Sequence, residues 1–292
     1  MLNLFYGGYT NYTRPELRKV PITSRTVGNV ERSSRWKGVQ HGELVDALHD
    51  VMKERFGWEA VPDSETYAVS PNGAAVVGGF DIGTVPDKKV RNKSRIKPLR
   101  IDGLNQNVNQ SVGFIHSNDS RRALRLSIGG RVLLCENGMV IGDYTSGRRH
   151  TSGLNLKDWL EDSFQTVYAR LHQVGNAAQL LSDIEVNPRF HDAALLHLGR
   201  NNILPWKHLP KLDNAWDNAV STGQPDWLTE ENADQDWGFD NSVWDWYNAF
   251  THIAKQTPAV EQFDVLRQGF ETCGELIPAK KRKELNALVS DN

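Results

Sequence analysis

Residues 111–144, SVGFIHSNDSRRALRLSIGGRVLLCENGMVIGDY, decide the fold of this chain. Apolar and polar residues alternate over residues 124–128, which is the period-two pattern of a strand with one buried face. Gly129-Gly130 and Asn137-Gly138 are typical of two-residue hairpin turns, because glycine adopts a positive φ at little cost. The stretch therefore predicts a twisted antiparallel β-meander with an apolar back and a polar front.

The polar front of this meander is rich in arginine. It contains Arg121, Arg122, Arg125 and Arg131, and Arg148 and Arg149 follow soon afterwards. Upstream, residues 88–100 hold seven cations and no carboxylate, at Lys88, Lys89, Arg91, Lys93, Arg95, Lys97 and Arg100. Because clustered cations neutralise phosphates, we predict that these 13 residues bind nucleic acid. A solvated basic loop is the alternative for residues 88–100.

The net charge of −2 conceals a division of charge between the two halves of the chain. Residues 1–150 contain 22 basic and 15 acidic residues, whereas residues 151–292 contain 12 and 21. Within the first half, residues 88–149 contain 13 basic and four acidic residues. This division predicts an anion-binding half and an acidic half with a different role.

The composition excludes several classes of protein. Cys135 and Cys273 are too few for a disulfide framework or a four-ligand zinc site. No apolar run approaches the ~18 residues that span a bilayer, and the N-terminus lacks the basic-then-apolar pattern of a secretory signal. We therefore expect a cytoplasmic protein that contacts no membrane and needs no cofactor or metal.

Three regions are predicted along the chain. Residues 1–40 show little periodicity, which is typical of a basic N-terminal arm or of short edge strands. Residues 41–175 predict an α+β core domain with a cationic sheet, and residues 176–292 predict a helical, acidic, Trp-rich region packed on that core. The predicted fold class is α+β, with an antiparallel meander, a long helix across one face and a mostly helical C-terminal half.

The order of elements in the core domain follows from periodicity and turn residues. A helix with apolar spacing ends at Gly57, and a hairpin follows around Pro71-Asn72-Gly73. After the meander, residues 155–175 predict the long helix, with Asn155 as its N-cap and Gly175 at its end. Further helices are predicted over residues 177–186, 191–198, 209–220, 242–256 and 260–276.

The acidic segment, residues 213–245, has nine carboxylates, no cation and four tryptophans. Such a segment could mimic the charge of DNA, bind a basic protein partner or fold back on the cationic half. Tryptophans at this spacing are also typical of core anchors for short helices. Trp244, Trp246 and Phe250 fit one helix face, which favours the core interpretation at that end.

No arrangement of residues in the sequence is diagnostic of an enzyme. His191 and His197 are six residues apart, which is unsuitable for two metal ligands on one helical face. Asp183 and Glu185 could begin a metal-dependent nuclease site, and His150 beside two arginines could act as a general acid on a phosphate. We predict no catalytic and no metal-binding residues, and a nuclease remains an alternative.

Three stretches resemble a known family. They are residues 122–142 with Leu-Leu-Cys-Glu-Asn-Gly-Met-Val-Ile-Gly, residues 148–153 with Arg-Arg-His-Thr-Ser-Gly, and residues 244–251 with Trp-Asp-Trp-Tyr-Asn-Ala-Phe-Thr. In this order they resemble the phage- and plasmid-encoded proteins grouped as domain of unknown function 932. The resemblance implies an intracellular protein of mobile elements, encoded among genes of DNA metabolism, and it assigns no functional residue. The opening 40 residues are not typical of that family.

The predicted function combines the basic surface with this resemblance. The order of helix, hairpin, meander and long helix is also similar to the β-β-β-α core of ring-forming single-strand annealing proteins. We predict nucleic-acid binding without sequence specificity, with single-stranded DNA favoured, for strand annealing in phage or plasmid recombination by a homo-oligomer. The alternatives are a phage protein that binds a host or defence protein through residues 213–245, and a metal-dependent nuclease.

Overall fold

A computed structural model gives the fold of the chain. It describes residues 9–22, 38–84, 96–99, 108–118, 123–132, 137–138, 145–148, 154–168, 171–225, 239–257 and 261–290. An antiparallel sheet lies in the first half of the chain, and helices make up the described part of the second half. The predicted α+β class is therefore confirmed.

The chain divides into two compact units, each made of several segments. Unit 1 comprises Met1–Leu99, Gln110–Ile128 and Tyr144–Ala169. Unit 2 comprises Arg100–Asn109, Gly129–Asp143 and Arg170–Asn292. The chain last passes from unit 1 to unit 2 after Ala169, near the boundary that the sequence predicts at residue 175, and it also crosses between the units within the predicted meander, after Ile128 and after Asp143.

The sheet is antiparallel at every pair of strands whose register is described. Its strands are β1 (Thr10–Tyr12), β2 (Trp58–Ala60), β3 (Thr66–Val69), β4 (Ala75–Thr84), β5 (Lys97–Pro98), β6 (Val108–Ser117), β7 (Leu124–Val132), β8 (Asn137–Gly138) and β9 (Thr145–Arg148). They follow the order β1-β3-β4-β6-β7-β8, while β2 and β5 pair with β4 and β9 pairs with β7.

One predicted hairpin is confirmed and another is wrong. Between β3 and β4 the chain turns at Gly73, whose φ of 68° requires glycine's freedom. By contrast, β7 continues through Gly129-Gly130, because Arg131 and Val132 still pair with β8. The chain reverses between Val132 and Asn137, so Asn137-Gly138 belongs to a strand and forms no turn.

Two helices pack together in unit 1. Helix α2 (His41–Val51) starts at Gln40, whose side chain accepts from the Glu43 backbone N–H. It ends through a π-helical turn at Gly57, which has the left-handed conformation and lies where the sequence predicts the helix to stop. Helix α3 (Leu156–Tyr168) packs against α2. Gly175, predicted to end the long helix, instead lies inside the next helix, α4 (Leu171–Ser182).

The described part of the predicted N-terminal arm belongs to unit 1. Strand β1 pairs with β3, and helix α1 (Arg14–Leu17) packs against α2. Arg14 and Arg18 both form ion pairs with Asp46 of α2, with N–O distances of 2.8 Å. The hydrogen bond from Arg18 holds the pKa of the Asp46 carboxyl below its usual value.

Glycine allows the sheet of unit 1 to hold two large rings. A Cβ on Gly78 of β4 would lie 2.6 Å from Tyr67 and 2.7 Å from Phe114. These rings flank Gly78 from β3 and β6, with centroids 6.1 Å apart. The packing of Tyr67 and Phe114 therefore explains why residue 78 of β4 is a glycine.

Unit 2 is built around one buried helix, α7 (Val243–Ala254). Besides α4 and α7, its helices are α5 (Pro188–Arg200), α6 (Leu209–Thr222), α8 (Gln262–Leu276) and α9 (Ala279–Ser290). Helix α7 packs against α4, α6 and α8, and Trp244, Trp246 and Phe250 are almost completely buried in it. The core interpretation of these rings is therefore confirmed. Among the described helices, none is both long and apolar enough to cross a bilayer.

Candidate nucleic-acid interface

The 13 predicted nucleic-acid-binding residues are only partly described by the structure. The cations that lie outside the described residues are Lys88, Lys89, Arg91, Lys93, Arg95, Arg100, Arg121, Arg122 and Arg149. The side chains of Lys97 and Arg125 are described, and the backbone positions of Arg131 and Arg148 are set by strand pairing.

Lys97 lies on the short strand β5. It is paired with Thr84 at the end of β4, and its side chain is exposed. The backbone N–H of Gln110 donates to the carbonyl of Leu99 at 2.7 Å, which fixes the chain just beyond β5. The structure therefore holds Lys97 in a defined, solvent-facing position at the sheet.

The register of β7 separates the arginines of the meander. Arg125 pairs with Gly147, whereas Arg148 pairs with Leu124. Because paired residues share a face and successive residues alternate, Arg125 and Arg148 are positioned on opposite faces of the sheet. Arg125 is half-buried, and its neighbours Leu124 and Leu126 are fully buried. The predicted alternation of β7 is thus present over residues 124–126, but the predicted arginines do not all share one surface.

The centre of the sheet offers little open surface. Consecutive residues Val76 and Val77 on β4 are both buried, as are Phe114 and Ile115 on β6. Since successive residues point to opposite faces, both faces are covered at these strands. The expectation of a polar, open front is therefore wrong at β4 and β6, and Ser127 on the predicted polar face of β7 is buried as well.

A hydrogen-bonded chain in unit 2 joins three helices through His191. The indole N–H of Trp246 donates to His191 Nδ1 at 2.9 Å, and His191 Nε2 lies 2.9 Å from Asp213 Oδ1. Because an indole nitrogen only donates, Nδ1 has no proton and Nε2 donates its proton to Asp213. Neither ring nitrogen is left to act as a base, so this His–Asp pair differs from a catalytic one.

The same cluster resembles a cation site in its distances alone. Ligand atoms of His191, Asp213 and Asp217 all lie within 4.8 Å of one another. A metal on His191 Nε2 would move the proton to Nδ1, where it would face the Trp246 N–H. Two facing donors in a buried site are unfavourable, so the hydrogen bonds favour a structural role. Sequence spacing does not reveal this cluster, because His191 lies on α5 whereas Asp213 and Asp217 lie on α6.

Two further histidines, not singled out in the sequence, pair in unit 1. His41 Nε2 lies 3.0 Å from the Gly73 carbonyl, and His41 Nδ1 lies 2.8 Å from His116 Nδ1. With both rings neutral, His41 donates to the carbonyl, and His116 donates to His41. Both rings are buried. The pair ties the start of α2 to β6 and to the turn before β4.

The two ends of the acidic segment are used within the fold. Asp213 accepts from His191, and Asp245 accepts from the backbone and the hydroxyl of Ser242 at the start of α7. Trp216 and Trp244 are buried, whereas residues 226–238, with Trp227 and Trp237, lie outside the described residues. Asp245 is buried, whereas the Asp213 carboxylate is 48% exposed, and the protein-partner site stays a prediction.

Comparison of the chain with protein-family models, with curated proteins and with solved structures finds no match in any of the three. The resemblance to the domain of unknown function 932 family therefore stays a prediction.

Proposed function

We propose that this protein binds nucleic acid without sequence specificity, with single-stranded DNA favoured, and that it anneals strands in phage or plasmid recombination. One observation supports the proposal most directly. The cation-bearing strands β5, β7 and β9 belong to one hydrogen-bonded sheet, although they are far apart in sequence. Lys97, Arg125, Arg131 and Arg148 lie on these strands, and in the sequence residues 88–149 hold 13 cations against four carboxylates.

The physical basis is counterion release. Each phosphate that is neutralised by a lysine or arginine releases a condensed cation, so affinity falls steeply as salt rises. This attraction requires no base recognition, which agrees with a chain that shows no helix-turn-helix or zinc-finger pattern. Arg125 and Arg131 are six residues apart on β7, so a nucleic-acid strand that follows β7 would meet both positions.

A salt series with the triple variant Lys97→Gln/Arg125→Gln/Arg131→Gln tests the proposal. The measurement is fluorescence anisotropy of a labelled single-stranded oligonucleotide. Loss of three phosphate contacts lowers the slope of log affinity against log salt by about 2, at about 0.7 per contact. Between about 50 and 200 mM salt, the wild type then weakens about 20-fold more than the variant.

The matched control removes the same charge elsewhere. Arg189, Lys280 and Lys283 are exposed on α5 and α9, and their triple change to Gln is expected to leave the slope close to that of the wild type. We call Lys97→Gln/Arg125→Gln/Arg131→Gln the sheet variant. If its slope of log affinity against log salt equals that of the wild type, or if the wild type does not bind at low salt, the proposal is contradicted. Mg²⁺-dependent cleavage of the oligonucleotide in the same samples would favour the nuclease alternative.

Self-association belongs to the same proposal. Annealing proteins that form closed rings need a head-to-tail interface, and the acidic and basic halves of two copies have the opposite charges such an interface uses. Sedimentation velocity is expected to show an assembly larger than one chain at low salt that dissociates as salt is added. A monomer under all these conditions contradicts this part of the proposal.

A further inference from the structure

We propose that Trp206, together with Arg200, Lys207 and Lys211, forms a stacking site for an unpaired base of a single-stranded nucleic acid. The site lies in unit 2. It deepens the proposed function and rests on it, because it names the form of nucleic acid that the protein prefers.

The ring of Trp206 is unusually exposed for its size. It is 58% exposed, more than any other large apolar residue in the described part of the chain. The eight other tryptophans of the sequence include Trp58, Trp216, Trp244 and Trp246, all of which are buried. Trp159 is half-buried, so Trp206 is the most exposed of the described tryptophans.

The position of the Trp206 ring is fixed by the fold. Trp206 opens a single 3₁₀ turn after Pro205, directly before α6. A Cβ on Gly199 of α5 would lie 2.9 Å from Trp206 Cη2 and 3.0 Å from Cζ2. The outer edge of the indole thus rests on the backbone of α5, which fixes the ring at low entropic cost to a ligand.

Three cations lie close to Trp206 in the chain, on the elements that hold the ring. Arg200 follows the glycine on which the indole rests, and Lys207 follows the tryptophan. Lys207 and Lys211 are four residues apart across the 3₁₀ turn and the start of α6, and Lys211 Nζ donates to Gln256 Oε1 at 2.6 Å. Burial, followed by the charges of these two lysines, lowers the pKa of His208 between them. Arg200, Lys207 and Lys211 are exposed, and none forms an ion pair with a carboxylate of the described residues.

The local charge is opposite to that of the surrounding sequence. Residues 193–212 contain these three cations and no aspartate or glutamate, within a half of the chain that has 21 acidic and 12 basic residues. An apolar protein surface would not be matched by cations placed beside the ring. A single strand is matched, because it offers a base face to the indole and phosphates to the neighbouring cations.

The geometry also distinguishes single strands from duplexes. In a duplex the faces of the bases are already stacked on one another, so an indole on a protein surface can reach only base edges or the backbone. An unpaired base exposes its face. Trp206 is therefore a specificity residue for single strands, whereas the lysines attract either form.

The test compares Trp206→Ala, Trp206→Phe and Lys207→Gln/Lys211→Gln in the full chain by anisotropy with labelled oligothymidylate and with a labelled duplex. Trp206→Ala is expected to weaken single-strand binding about 5- to 150-fold, with an unchanged salt slope and unchanged duplex binding. Trp206→Phe keeps a stacking ring and retains most of the affinity. Lys207→Gln/Lys211→Gln lowers the salt slope by about 1.4, since two phosphate contacts are lost.

Matched controls separate this inference from the function on which it rests. Lys280→Gln/Lys283→Gln removes two exposed charges from α9 and is expected to keep the wild-type slope. If Trp206→Ala binds single strands as tightly as the wild type while the sheet variant binds them more weakly, the stacking site is refuted and the proposed function stands. No binding by the wild type refutes both. A change of sedimentation coefficient in Trp206→Ala with unchanged DNA affinity identifies the site as a contact between copies, which also refutes it.

Discussion

Gly269→Ala is expected to destabilise the protein, although alanine is the better helix former. Gly269 lies in α8, and a Cβ there would be 2.0 Å from Phe250 Cε1 and 2.5 Å from Cζ. Phe250 is fully buried and stacks on Trp246 at an interplanar angle of 5° and on Tyr247 at 26°. The ring is therefore buried between other aromatic rings, which limit how far it can move.

The magnitude follows from two opposing terms. Replacing a mid-helix glycine by alanine gains about 1 kcal/mol of helix propensity. Overpacking a dense core costs about 1–3 kcal/mol, and a contact this short belongs at the upper end of that range. The expected net loss is about 2 kcal/mol in the free energy of unfolding.

Chemical denaturation followed by tryptophan fluorescence measures this loss, and Gly274→Ala in the same helix is the control. A Cβ on Gly274 would meet only the terminal methyl Cδ2 of Leu285 at 3.1 Å. That methyl can shift, so Gly274→Ala is expected to be neutral or to stabilise by up to about 1 kcal/mol. In the Phe250→Leu background the cost of Gly269→Ala should shrink. Equal or greater stability of Gly269→Ala would refute the packing described for α7 and α8.

Two other predictions concern histidines. Burial lowers the pKa of His49 from 6.5 to about 4. The folded chain then binds fewer protons than the unfolded chain, so stability falls between about pH 6.5 and pH 4, by up to about 3 kcal/mol. His49→Gln should flatten this part of a stability-versus-pH curve, and an unaltered curve would contradict the assignment. Trp246→Phe removes the donor to His191 Nδ1 and is expected to cost about 1–3 kcal/mol on denaturation. Asp213→Asn keeps an acceptor for Nε2–H and should cost less than about 1 kcal/mol, and an equal cost for both would contradict the proton assignment.

The helices of the second half could be predicted because their apolar spacing is regular. Trp244, Trp246 and Phe250 share one face in the sequence pattern and are buried in the structure. In the sheet, Pro71-Asn72-Gly73 was recognisable because one glycine with positive φ closes the turn. The turn predicted at Gly129-Gly130 was wrong because strand pairing overrides local preference, and glycine is tolerated in a strand that is paired with its neighbours.

The candidate site was less accessible to sequence reasoning. Which arginines share a face depends on the register of β7 and β9, and no pattern in either strand determines a register by itself. Trp206 was missed because a single exposed ring has no periodicity. The absence of carboxylates over residues 193–212 was readable in the sequence and would have drawn attention to it.

The interleaving of the two units has a consequence for synthesis on the ribosome. Every segment of unit 1 has been made once Ala169 is added, whereas unit 2 still lacks Arg170–Asn292. At about 5–20 residues per second, Arg100–Asn109 and Gly129–Asp143 wait about 6–25 s for the helices that complete their unit. A nascent chain paused at that point would contain every segment of the first unit and only two of the three segments of the second, which gives chaperones and proteases a defined window in which to act.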